Sequence, residues 1–438
     1  MKKLLILGGA ALHCGVVETA KQMGIETYVT DYLPVDQSPA KQIADHAWDI
    51  DVTDCNKIVE KCRREGIDGV LNVYLNPCQI PYQMICESLE LPCFASLEQY
   101  EIFTDKKRFL QVCRENGVDI IQQYRDSDFD FDNPAVEYPV YVKPSDSRGT
   151  RGQAVCRSYD EVGNAIAVAK KESGNGEVVI ERFMEGSQDI QLTYFVIDGE
   201  PYLECIADKY NGTAAEGYQG SVIAGICPSI NEDTILSDAH PKICNMLKNL
   251  GLRNTPVFLQ GFLDGNKLRL YDPALRLPGF LYEHNLRRAT GLDVYESMIS
   301  FALTGSFPAE LKEVDDKRHM SDKLSISVWI FVRGGGISKT CGLDELREES
   351  CVVHIDERYS AGDVIEDWRD IRNNYCEIAM LCEDANEAKK MIRRIYDTVR
   401  ILDEDGKDMK IVFFDADKLD QYTEENRSNC SSGLSYQG

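Results

Sequence analysis

The chain is short of positive charge. Its 48 lysines and arginines face 73 aspartates and glutamates, leaving a formal net charge of −25. That balance argues against a general nucleic-acid surface or an anionic-membrane surface, yet leaves room for a local basic pocket around a small anion. Histidine is scarce, with six residues, and none is spaced with cysteine as a zinc ligand set would be. The 16 cysteines include no C-x-x-C pair. Cys62, Cys86, Cys113 and Cys244 sit in apolar helix or strand patterns. They read as reduced core thiols of a cytoplasmic protein, because a disulfide scaffold would be short and loop-rich. No apolar run approaches a membrane span. After Met1-Lys2-Lys3, the run Leu4 to Leu7 stops at Gly8-Gly9, too short for a secretory leader. No internal repeat is present. A length of 438 residues leaves roughly two to four domains and ample material for buried cores.

What is present alternates. Lys3 to Leu7 reads as a buried strand running into Gly8-Gly9-Ala10. Val16, Val17, Ala20 and Met23 follow at helical spacing, and Glu26 to Thr30 reads as a second strand. Further strand, helix, strand and helix patterns run from Ala47 to Leu89. Such alternation predicts a parallel sheet covered on both faces. The glycine spacing is not G-x-G-x-x-G, which disfavours a nicotinamide-dependent dehydrogenase. The loop Tyr74-Leu75-Asn76-Pro77 follows the carboxyl end of a strand, where ligands of such sheets sit.

The centre of the chain is Val140 to Gly152, V-Y-V-K-P-S-D-S-R-G-T-R-G. A strand ends on Lys143, and a loop rich in glycine, hydroxyls and arginine follows. Backbone N–H groups, hydroxyls and cations together can cradle a polyphosphate; a polar surface hairpin would carry the same residues. Arg148 and Arg151 fit either reading. Lys106, Lys107 and Arg108 open a helix capped by Thr104 or Asp105, where cations oppose the helix dipole. A docked anion would offset that cost; a solvated basic turn would not need one. Tyr210 to Gly220 holds three glycines in eleven residues and reads as a mobile flap. Val257 to Leu263 and Leu268 to Tyr271 read as a hairpin around Asp264-Gly265.

In this order the motifs resemble the ATP-grasp superfamily. The synthetase domains of the carbamoyl-phosphate synthase large subunit compare well, including Ala289-Thr290-Gly291 after the arginine loop. Amino-acid ligases and the carboxylases of purine synthesis also compare well. The resemblance implies a Rossmann-like pre-grasp domain with a parallel sheet over 1–100. It further implies an α+β grasp core of lobe A, 101–180, and lobe B, 181–306, then a smaller C-terminal α+β lobe, 307–423. The tail, 424–438, lacks apolar periodicity and is expected to be disordered.

Residue by residue, the resemblance makes Lys106 and Lys143 the phosphate-binding cations, with Ser145, Gly149, Thr150 and Gly152 in the loop over the phosphates. Glu181, Arg182 and Phe183 open the segment whose backbone holds adenine, and Gln188 takes the ribose position. Gln260 and Asp272 become the ligands of Mg²⁺, or of Mn²⁺. Arg276 becomes the catalytic cation beside Lys143, and Arg287 and Arg288 candidates for a substrate carboxylate, unless they are a solvated helix surface. The implied reaction joins a small carboxylate to an amine through an acyl phosphate, releasing ADP and phosphate. Neither nucleic acid nor membrane is an expected partner, and a homodimer is a family-level expectation.

Two departures matter. The family's metal segment reads E-x-N-x-R, but here it is Asp272-Pro273-Ala274-Leu275-Arg276, so one oxygen ligand is missing. Gln188 stands where a carboxylate is usual, with Asp189 beside it. They motivate an alternative: a Mg-ATP-binding protein of this fold with little ligase activity.

Overall fold

The computed structural model describes residues 1–145, 152–174, 176–213 and 221–423. Gly149 and Thr150 of the phosphate loop, Arg148, Arg151, most of the flap and the tail lie outside the described residues.

The N-terminal unit is built from β1 (Lys3–Leu7), α1 (Cys14–Gln22), β2 (Glu26–Asp31), α2 (Pro39–Ile43), β3 (His46–Asp49), α3 (Cys55–Glu65), β4 (Gly69–Leu71) and α4 (Gln79–Leu89). Its sheet is parallel, in the order β3-β2-β1-β4. Leu4 to Leu7 are wholly buried, as a strand covered on both faces requires. The β1–α1 turn begins at Gly8, where φ is +109° and a Cβ would come within 2.8 Å of the His13 ring and the Leu75 side chain. Only glycine allows that close approach. Helices α5 (Leu97–Thr104) and α6 (Lys106–Glu115) lead out of this unit, and α5 spans the expected boundary at 100.

Next comes a small antiparallel sheet of β5 (Gln123–Tyr124), β6 (Val140–Pro144), β7 (Ala154–Cys156) and β8 (Val178–Arg182), ordered β5-β8-β6-β7. Helix α7 (Tyr159–Glu172) covers it, burying Val162, Ala165 and Ala169 against Val140, Val142, Cys156 and Ile180. This core is separate from the main one, so lobe A is a distinct packing unit.

The larger sheet contains β9 (Gln188–Ile197), β10 (Glu200–Asn211), β11 (Val222–Cys227), β12 (Thr255–Asp264), β13 (Lys267–Ala274) and β14 (Leu324–Val332). Helix α8 (Glu232–Asn249) separates β11 from β12, and α9 (Tyr282–Thr290) and α10 (Val294–Thr304) separate β13 from β14. The sheet order is β13-β12-β9-β10-β11-β14, continuing into the strands Asn374–Cys382 and Val352–Glu357. The C-terminal strands therefore extend the lobe B sheet. β14 pairs along β11, which covers the row of backbone groups that an edge strand would expose.

β9 starts earlier than its apolar run. Asp189 to Gln191 pair with both β10 and β12, and Gln188 with β12. The Gln188 and Asp189 side chains find partners inside the sheet, which offsets the cost of burying them. Among the described residues all 15 cysteines are free thiols. No described helix is long and apolar enough to cross a membrane.

Candidate active site

Lys143 lies at the end of β6, opposite Val179 of β8. Its Nζ forms an ion pair with Glu181 and lies 5.5 Å from the centroid of the Tyr141 ring. Both charged side chains are largely buried, at 12% and 7% exposure. A pair so shielded from water is held only while each charge has a partner. Beyond it, the Ser145 amide donates to the Glu177 carbonyl at 3.0 Å. Gly152 closes the loop at φ +69°, where a Cβ would strike the Glu172 side chain at 2.8 Å.

Lys106 is the first residue of α6. The Asp105 side chain caps that helix through the Lys107 and Arg108 amides, leaving the Lys106 amine to reach across to β13. There it meets Asp272 Oδ1 at 3.0 Å. Burial disfavours the Lys106 charge, but Asp272 and then Glu181 outweigh it and raise the amine above its ordinary value.

Asp272 faces Gln260 across the β12–β13 pair, and Gln260 faces Gln191 across the β12–β9 pair. Directly opposed residues point to the same side of a sheet, so these three form one polar row. Ala274, two residues past Asp272, is buried opposite Phe258 and adds no oxygen. The row thus offers one carboxylate and two amide oxygens to a hard cation. That set fits Mg²⁺ provided nucleotide phosphates and water supply the remaining ligands.

Arg276 follows in the loop after β13. Its Nε donates to Asn76 Oδ1, its Nη1 to the Leu277 carbonyl, and its guanidinium lies 5.0 Å from the Phe258 ring centroid. Burial lowers its pKa to about 10, a shift that Asp272 opposes. Asn76 belongs to the Tyr74 to Pro77 loop, so that loop does reach the candidate site. Gln79, three residues on, accepts from the Leu275 amide at 2.8 Å and fixes the same segment.

The remaining expected residues divide. Arg182 spans β8 and the β12–β13 turn through Asp264 Oδ2 at 3.0 Å. The Phe183 amide donates to the Pro139 carbonyl at 2.8 Å, and its ring packs near Tyr141. Gln188 Nε2 donates to the carbonyls of Lys209 and Asp189. Asp189 is buried and fully engaged: Lys209 Nζ lies 3.1 Å away, and Asn211 and Tyr271 donate at 2.8 and 3.0 Å. Arg287 pairs with Asp293 at 3.0 Å and reaches Gln22 of α1, while Arg288 is exposed. Neither arginine joins the group around Lys143, Asp272 and Arg276 through the contacts they make.

Comparison with known proteins supplies the frame. Residues 105–201 match the family model for the carbamoyl-phosphate synthase L chain, ATP binding domain. That span holds Lys106, Lys143, Glu181 and Gln188. The model is also similar to the crystal structure of an L-amino acid ligase from Bacillus licheniformis, with TM-score 0.75 and 17% identity over 92% of this chain and 99% of that one. A biotin carboxylase domain dimer of the Hydrogenobacter thermophilus 2-oxoglutarate carboxylase, solved with MgADP, ADP and bicarbonate, gives TM-score 0.74 at 18% identity, covering 100% of this chain and 99% of that one. The chain has the ATP-grasp fold of these proteins. Among curated relatives, the formate-dependent phosphoribosylglycinamide formyltransferase of Methanocaldococcus jannaschii is 24% identical over 349 residues, covering 74% of this chain and 85% of that protein.

Gln188, expected at the ribose, donates to the backbone carbonyls of Lys209 and Asp189. Asn76 lies in the loop expected at the ligand edge of the parallel sheet, while Lys209 and Tyr271 are brought to Asp189 by the fold. The irregularity in the β12–β13 register lets Tyr271 share a face with the Asp272 row, where its ring stacks on Phe262 and its hydroxyl donates to Asp189.

Proposed function

We propose that this chain is an ATP-dependent carboxylate–amine ligase that forms an acyl phosphate and releases ADP and phosphate. The observation that carries the reading is the grouping of Lys106, Asp272 and Gln260 next to the Arg276 loop, with Lys143 paired to Glu181 on the same path. Bound Mg²⁺ would neutralise phosphate charge and align the γ-phosphoryl group. Gln260 and Asp272 would hold it, and Mn²⁺ is the natural substitute at such an oxygen site. Lys143 and Lys106 would lie along the phosphates, leaving Glu181 and Asp272 as they do so. Arg276 would meet the charge that develops as a substrate carboxylate attacks, in a setting where burial strengthens each ion contact. No protein nucleophile is needed. The amine then displaces phosphate from the acyl phosphate, and a covered site keeps water out.

The Arg182, Phe183 and Met184 segment would accept the adenine. We further propose a cytoplasmic setting, supported by the free and mostly buried thiols, and a homodimer, supported by the dimeric neighbour above. A second reading rests on Ala274 and on the engaged Gln188 and Asp189: Mg-ATP binds, but no ligase reaction follows.

One experiment separates these readings. ADP release is measured with Mg-ATP over a panel of carboxylic acids crossed with amines. The ligase reading expects at least one acid–amine pair to raise ADP release far above the rate with ATP alone, and Lys143→Ala to abolish that increase. ATP binding with no pair that stimulates release would establish the second reading instead.

A further inference from the structure

A cleft lies between α1, α9, the start of α10 and the strand Val352–Glu357, apart from the ATP-grasp machinery. Its interior is about 100 Å³. A single water needs roughly 10–15 Å³ on the same scale, so a small organic molecule fits. Glu283 lines this space. It is 2% exposed, and neither carboxyl oxygen has a hydrogen-bond partner from another residue. Such a group is costly to bury unless something meets it. Burial, with Glu204 and Glu377 near it, raises its carboxyl well above the ordinary value, so a cation seated beside it would restore the charged form.

The other lining groups have one chemical character. Glu18 is at the exposed mouth and Asp293 at the wall. The cation at the rim, Arg287, is already paired with Asp293. His284 and His354 stack at 4.0 Å with their rings 6° from parallel. Burial holds both imidazoles neutral near pH 7, with His284 lowered to about 3, so each can offer a ring nitrogen as acceptor. Gly15 lets α1 approach: a Cβ there would come within 3.0 Å of Tyr295 and 3.2 Å of His284. Carboxylates and ring-nitrogen acceptors dominate the lining, and the lining cation, Arg287, is paired. Among the described residues, no three His, Cys, Asp or Glu side chains are grouped to hold a metal ion.

We infer that this cleft is a second ligand site, which takes a small organic ammonium group seated on Glu283. The ammonium would donate to the Glu283 carboxylate, giving it the partner it lacks, and to an imidazole nitrogen at the cleft wall. This site stands or falls independently of the ligase reading, because binding is measured without turnover.

The probe is n-propylammonium chloride, titrated against the full chain by saturation-transfer NMR and calorimetry, with n-propanol as the uncharged control. Saturable binding in the millimolar range or tighter is expected for the amine, and at least tenfold weaker binding for the alcohol. Glu283→Gln should weaken amine binding at least tenfold. Glu18→Gln, on the solvent side of α1, should weaken it at least twofold and carries the test if Glu283→Gln does not fold by circular dichroism. Absence of saturable amine binding, equal binding of the alcohol, or unchanged affinity in the folded variants would overturn the assignment.

Discussion

Glu377 should make the protein less stable as pH rises through neutrality, and Glu377→Gln should remove that loss. The side chain is fully buried. One oxygen accepts from the Leu281 amide at 3.0 Å, while the other has no hydrogen-bond partner and lies 3.9 Å from Arg358. Burial is the main cause that lifts its pKa from 4.5 to about 8, with Arg358 opposing. Between those two values the folded state binds the proton and the unfolded state does not. The stabilisation is therefore fully present below pH 4.5 and is lost as pH rises through 8. At about 1.36 kcal/mol per pH unit, the loss by pH 8 is on the order of 5 kcal/mol, and roughly 3 kcal/mol is already gone by pH 7. Glutamine keeps an oxygen for the Leu281 amide and cannot ionise. Thermal unfolding of both proteins at pH 5 and pH 8.5 is the assay. The variant should unfold roughly 5 °C or more above the wild type at pH 8.5, and the gap should shrink to near zero at pH 5. Glu204 and Glu283, also lifted by burial, are present in both proteins; the Glu377 charge pushes Glu283 up further, so its removal adds to the gap at pH 8.5. An equal gap at both pH values would show that Glu377 is not the titrating group.

Two further expectations concern the proposed catalytic group. Asp272→Ala should raise the Mg²⁺ concentration needed for half-maximal ADP release by at least tenfold, since no carboxylate would remain in the polar row; an unchanged magnesium titration refutes its role as a ligand. Asn76→Ala removes the acceptor that holds Arg276 Nε, so it should lower kcat severalfold while leaving the ATP affinity within about twofold. Equal losses in both would mean that the loop serves nucleotide binding instead.

The parallel N-terminal sheet was legible because period and punctuation agree there: buried runs such as Leu4 to Leu7 end in glycine and are followed by helical spacing. Lys106, Lys143, Gln260, Asp272 and Arg276 were legible as types at spaced positions along the chain. Three things were not. Gln188 to Gln191 looked like a loop because strand periodicity assumes apolar side chains, whereas Lys209, Asn211 and Tyr271 supply partners from other strands. Asn76 is an ordinary loop asparagine until the fold brings Arg276 to it, 200 residues later in the chain. Nothing in the local spacing marks Glu283 or Glu377 as buried acids. Only the packing of α9 against β14 and its neighbours buries them, and local spacing carries no record of that.

The two lysines of the candidate site show how a chain with an excess of acids can keep a phosphate pocket ready. A charged lysine at 12% exposure is costly to keep without a partner. Glu181 and Asp272 prevent that by lending a carboxylate to Lys143 and Lys106. The loan suits reversal. A triphosphate brings more negative charge than one carboxylate, so both amines gain by turning to it, and Asp272 is then released toward a cation on the same sheet face. Glu181 is left buried without Lys143, a cost that the nucleotide contacts must exceed. Removing the carboxylate rather than the lysine therefore separates the two contributions. Glu181→Gln would keep the shape and lower that cost, so ATP should bind this variant more tightly than the wild type, even though a favourable ion pair has been lost from the free protein.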